Sequence, residues 1–113
     1  MGYDVWFKAD LGGDDPITVG RNDINYTYNC GQMFATALSS VGTDMKLSDL
    51  SGRKCGDCIG LLTDAINHMH ANHKTYTAMN PRNGWGDYVD ATDFLKDILD
   101  ECICMPNATI WVS

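Results

Sequence analysis

The chain reads as an α+β domain: a small antiparallel sheet, made from two N-terminal strands or hairpins and a C-terminal strand, with about three helices packed on one face. Three observations predict it. Polar and apolar residues alternate near both ends of the chain, which is the period of a half-buried strand. Between those ends lie three apolar stripes at helical spacing. Turn-forming clusters of Gly, Pro and Asn separate the segments, and the order β, β, α, α, α, β suits a sheet covered on one side by helices.

In the first segment Tyr3, Val5, Phe7 and Ala9 share one face, and Asp4, Trp6, Lys8 and Asp10 the other. Gly12-Gly13-Asp14-Asp15-Pro16 is a turn, and Pro16 sits where the next strand need not donate to a ladder. Ile17 to Val19 returns to extended structure, and Gly20 to Asp23 predicts a second turn or a bulge. Beyond it Ile24, Tyr26 and Tyr28 share a face, opposed by Asn25, Thr27 and Asn29.

Met33, Phe34, Ala37, Leu38 and Val41 mark a helix over 30–41, with Asn29 as its N-cap and Gly42 as its stop. Leu47 and Leu50 are expected to tuck under the connection that follows. Cys58, Ile59, Leu62, Ala65, Ile66 and Met69 form the stripe of a second helix, over roughly 53–72. Ala91, Phe94, Leu95, Ile98, Leu99 and Cys102 form that of a third, which Pro106-Asn107 stops before a final strand over 108–113. The loop Asn80-Pro81-Arg82-Asn83-Gly84-Trp85-Gly86-Asp87-Tyr88 joins these two helices and concentrates large aromatics among turn formers.

Length and composition fit one globular domain over residues 1–113. The sequence shows neither a stretch long and apolar enough to span a bilayer nor a basic-then-apolar leader. Five cysteines, an odd number, are expected to be reduced thiols of a cytoplasmic protein. Fifteen acids against eight bases leave a net charge of −7, which disfavours direct binding to nucleic acid. An acidic surface of this kind serves solubility or meets a basic partner.

Several motifs invite chemistry. Cys55-Gly56-Asp57-Cys58 has the spacing of a redox pair at a helix start, but no strand precedes it and Asp57 would disfavour a thiolate. Cys55, Cys58, Cys102 and Cys104 could instead form a four-thiolate zinc site, or simply pack as small hydrophobes. His68, His70 and His73 lie near a helix C-terminus, where they complement the macrodipole; positions 70 and 73 alone could share an ion. None of the nucleophile-elbow or phosphate-cradling motifs occurs. No metal and no cofactor is expected.

Two surfaces and one loop are better candidates. The outward face of the sheet would present Trp6, Asn25, Thr27, Asn29 and Trp111, two indoles beside a ladder of amides and hydroxyls suited to a partner or a second copy. Asp90, Asp93, Asp97 and Asp100 or Glu101 recur at three- and four-residue steps on the outside of the last helix, where a carboxylate row is either a solvated face or an imitation of a phosphate backbone. In the loop, Asn83, Trp85, Asp87 and Tyr88 could stack and hydrogen-bond a small ligand.

The segments Asn25-Tyr26-Thr27-Tyr28-Asn29, Asn80 to Tyr88 and Ala108-Thr109-Ile110-Trp111-Val112-Ser113 together resemble a set of small uncharacterised proteins of actinobacteria and their phages. That resemblance implies a bacterial, phage-borne setting and no particular activity. The expectation is therefore an acidic, non-enzymatic binding protein that inhibits a host nucleic-acid-binding or defence protein. A small-ligand domain using the 80–88 loop is the alternative, and a CxxC thiol or structural zinc protein a further one.

Overall fold

The computed structural model describes residues 3–26, 30–40, 44–81 and 87–113, leaving aside the side chain of position 22. Among these, three strands form one antiparallel sheet in the order β2-β1-β3: β1 is Tyr3–Ala9, β2 is Ile17–Tyr26 and β3 is Thr109–Val112. The first strand of the chain is thus its central one. Four helices accompany the sheet: α1 Gly31–Ser39, α2 Cys55–Ala71, α3 His73–Thr77 and α4 Tyr88–Cys104, with a 3-10 turn at Leu47–Leu50. The α+β architecture expected from the alternation is the one observed.

Alternation sets which way each strand faces. Val5, Phe7, Ile24, Tyr26, Ile110 and Val112 are all buried against the helices. None of the outward residues Asp4, Trp6, Lys8, Thr18, Asn25, Thr109 and Trp111 is. The β1–β2 hairpin turns at residues 10–16, where the Asp10 carboxylate accepts the Gly12 N–H at 2.9 Å and Gly12 takes a positive φ of 90°.

The pattern break at Gly20 to Asp23 is a bulge within a single strand, not a second turn. Val5 pairs with Ile24 and Phe7 with Val19, so four residues of β2 stand opposite Trp6 alone. Gly20, at φ 70°, supplies the left-handed backbone that starts this excursion.

On the other flank, β3 does not end in an open edge. Ile110 accepts the Gly52 N–H at 2.8 Å and donates to Arg53 at 2.9 Å, while Ala108 accepts from Cys55 at 2.8 Å. The segment before α2 therefore closes that edge, leaving β2 as the outer strand.

The core is centred on four rings. Phe34 of α1 meets Tyr3 at 5.7 Å, Tyr26 at 5.8 Å and Phe94 of α4 at 5.5 Å; Tyr26 and Phe94 are 5.3 Å apart. One cluster thus ties two strands to two helices, largely through edge and tilted contacts. Below it Leu47 and Leu50 are buried as expected, and α2 lies along α4.

The second helix ends one residue earlier than the stripe suggests. Asn72 breaks it, and the unanticipated α3 follows, holding Tyr76 wholly buried. The Tyr76 hydroxyl lies 2.7 Å from His68 Nδ1. His70 and His73 therefore fall on different helices, not one turn apart on a single helix, so the spacing expected to let them share an ion is not the one formed. Asn29, expected as the cap of α1, and Gly42, expected as its stop, lie outside the described residues, as do Tyr28 and Val41; Cys30 stands at the N-cap position with no side-chain cap bond.

Candidate partner-binding site

Helix α4 begins where the Asp87 carboxylate accepts the Asp90 N–H at 2.8 Å, a capping interaction at the positive end of the helix dipole. The Tyr88 N–H is held by Asn80 Oδ1 at 2.9 Å, and the Tyr88 ring lies against Tyr76 and His70. Two of the residues assigned to a ligand loop thus start and seat a helix. Asn83 and Trp85, the others, lie outside the described residues.

Because α4 buries Ala91, Phe94, Leu95, Ile98 and Cys102, its opposite flank must carry the acids. That flank faces the bulged edge strand. Between them runs a cleft of about 240 Å³, lined by Asp23, Ile24, Asn25 and Tyr26 from β2 and by Asp90, Asp93, Phe94 and Asp97 from α4. Its floor is aromatic and its rim is carboxylate.

The bulge is what anchors the strand to the helix. The Arg21 N–H donates to Glu101 Oε2 at 3.1 Å, and the Arg21 guanidinium lies 2.9 Å from Asp23 and 3.4 Å from Asp97. Its hydrogen bond to Asp23 raises the guanidinium pKa, and the same bond lowers that of the Asp23 carboxyl. Asp97 is therefore partly engaged within the chain, a role the helical spacing alone does not reveal. Asp90 and Asp93 are exposed, and Arg21 is the one cation within 4 Å of an acid among the described residues.

No family model, curated protein or solved structure matches the chain.

The expected partner-binding residues divide between two faces. Trp6 and Trp111 are directly opposed across β1 and β3 on the outward face of the sheet, with Trp111 38% exposed. Asp90, Asp93 and Asp97 lie beyond the edge of the sheet, on its helical side. Asn25 belongs to both, since it is exposed on β2 and also lines the cleft. Thr27 and Asn29 lie outside the described residues. Neither Asp23 nor Arg21 is marked by the sequence pattern as part of this site; Arg21 and Glu101, the latter a member of the acidic row, meet across eighty positions of sequence.

The cysteines are organised by burial. Cys55, Cys58 and Cys102 have no more than 1% of their surface exposed, whereas Cys104 is exposed. Burial pushes the Cys58 thiol up to about 11 and raises Cys55 and Cys102, whose thiols share a hydrogen bond. The N-terminus of α2 does not offset this, because its first amides are already bonded: Cys55 N–H to Ala108 and Gly56 N–H to Pro106, both at 2.8 Å. The thiolate-stabilising geometry that a redox CxxC needs is thus occupied by the chain's own carbonyls. Among the described residues no three His, Cys, Asp or Glu side chains are placed to hold a metal ion, and no helix is long and apolar enough to cross a membrane.

Proposed function

We propose that this chain is an acidic binding protein, not an enzyme, and that the cleft between α4 and β2 receives a basic surface of a protein partner. The observation that carries this reading is the placement of Asp90, Asp93, Asp97 and Asp23 on a helix and a strand around Tyr26 and Phe94, with Arg21 as the internal counter-charge of Asp23 and Asp97. Along α4 the three carboxylates span about 10 Å at 1.5 Å per residue, a length over which lysines or arginines of a nucleic-acid-binding groove can meet them. Asp23 and Asp97, held by Arg21 before binding, cost the complex little ordering entropy, and the field of all four carboxylates steers a cationic partner toward the cleft.

The resemblance to small proteins of actinobacteria and their phages suggests the setting: a phage or mobile element supplying an inhibitor of a host nucleic-acid-binding or defence protein. The test is capture from host lysate by the full chain, compared with Asp90→Lys/Asp93→Lys, followed by assay of the captured protein's nucleic-acid binding. The expected result is a basic partner retained by the parent, released by added salt, displaced from nucleic acid, and lost in the folded double variant. Equal capture by both chains would refute the reading.

A further inference from the structure

The outward face of the sheet has three rungs. Asp4 pairs with Asn25 on one side and exchanges two 3.0 Å backbone hydrogen bonds with Ser113 on the other. Trp6 stands opposite Trp111. Lys8 pairs with Thr18 and with Thr109. Along the central strand the outward order is therefore acid, indole, base. In an antiparallel ladder such directly opposed pairs alternate between bonded and non-bonded, so Trp6 and Trp111, two residues from the bonded Asp4–Ser113 pair, also form a bonded pair. The two tryptophans therefore share the middle rung, one on each of two adjacent strands.

We propose that this face is an isologous interface, and that its occupant is a second copy of the same chain. A two-fold axis lying between two such sheets, perpendicular to the strands and running along the tryptophan rung, exchanges the outer rungs. Asp4 then lies over Lys8 of the second copy, and Lys8 over its Asp4. Asn25 faces Thr18, and Ser113 faces Thr109, so polar groups meet polar groups.

The alternative axis, parallel to the strands, sets Asp4 over Asp4 and Lys8 over Lys8 and is repelled. The order of residues on β1 thus selects one of the two symmetric arrangements. Dimensions agree with it. Asp4 and Lys8 each lie about 7 Å along the strand from Trp6, and packed sheets stand about 10 Å apart, a gap that a Lys and an Asp side chain span together.

The indoles provide the apolar centre and the charge pairs the rim, the usual division within an interface. Repulsion between two copies of net charge −7 does not prevent this, because physiological salt screens charges more than about 8 Å apart. The acids of the α4–β2 cleft take no part, so this proposal stands or falls separately from the partner-binding reading.

Sedimentation equilibrium of the full chain, from micromolar to sub-millimolar concentration, tests it, with circular dichroism confirming that each variant folds. The parent is expected to reach a monomer–dimer equilibrium. Since every substitution appears twice at a two-fold interface, Lys8→Glu should weaken it about ten-fold or more, and Asp4→Lys likewise. The exchanged variant Asp4→Lys/Lys8→Asp should recover the dimer. Trp111→Thr, which keeps a good strand former, should leave a monomer and gives an answer even where a charge variant misfolds. A parent that stays monomeric throughout, a dimer indifferent to Lys8→Glu, or an exchanged variant that fails to recover would each overturn the proposal.

Discussion

Replacing Phe34 by Ala should be among the most damaging single substitutions in the molecule. Phe34 is completely buried and lies within 6 Å, centroid to centroid, of the rings of Tyr3, Tyr26 and Phe94. Truncation removes the transfer free energy of the ring and leaves a cavity that β1, β2, α1 and α4 would all have to move to fill. Such losses run to about 3–5 kcal/mol. A domain of this length unfolds with an entropy near 0.24 kcal/mol/K, so each kilocalorie lowers Tm by roughly 4 °C.

The expected shift is therefore about 12–20 °C, against a total stability on the order of 5–15 kcal/mol. Urea unfolding followed by far-UV circular dichroism measures it directly. The midpoint should fall while the slope stays constant, because the same surface is exposed on unfolding. A loss below about 1 kcal/mol would refute the reasoning, since only a site open to solvent or free to collapse tolerates that truncation.

Two further outcomes follow from particular contacts. Cys58 has its thiol pushed from the ordinary 9.0 up to about 11, so the folded state holds that proton more tightly than the unfolded chain. The stability this represents is complete below pH 9 and is lost as pH rises toward 11, on the order of 3 kcal/mol in full. Urea midpoints at pH 8 and pH 10.5 should therefore differ less in Cys58→Ala than in the parent, and an unchanged pH slope would contradict the assignment.

Gly20→Ala should cost about 1–2 kcal/mol from the left-handed backbone alone. It should also push Glu101 and Met105 away from the bulge, because the added methyl would meet both side chains. Amide hydrogen exchange at Arg21 should then accelerate, reporting loss of its bond to Glu101. Exchange as slow as in the parent would show that the bulge does not need this glycine.

What could be read without coordinates had a local cause. Period-two alternation turned Val5, Phe7, Ile24 and Ile110 inward and Trp6 and Trp111 outward, and the structure agrees at each of these positions. The stripes on α1, α2 and α4 likewise state which side of each helix is buried, since one face must leave water whatever the neighbour is. Helix ends were less legible: Asn72 divides a run that the apolar spacing carries on to residue 72, and α3 is too short to show a period of its own.

Distance in sequence decided the rest. Placing β1 between its two partners, closing the edge of β3 with residues 51–55, and setting Arg21 against Asp97 and Glu101 all join segments that carry no mark of one another. The carboxylate row on α4 was visible as a row, but that it faces an edge strand and shares a cation with it was not. Side-chain periodicity is dictated by the chain's own geometry, whereas the partner of each face is chosen by packing over the whole domain, and only the folded structure contains that choice.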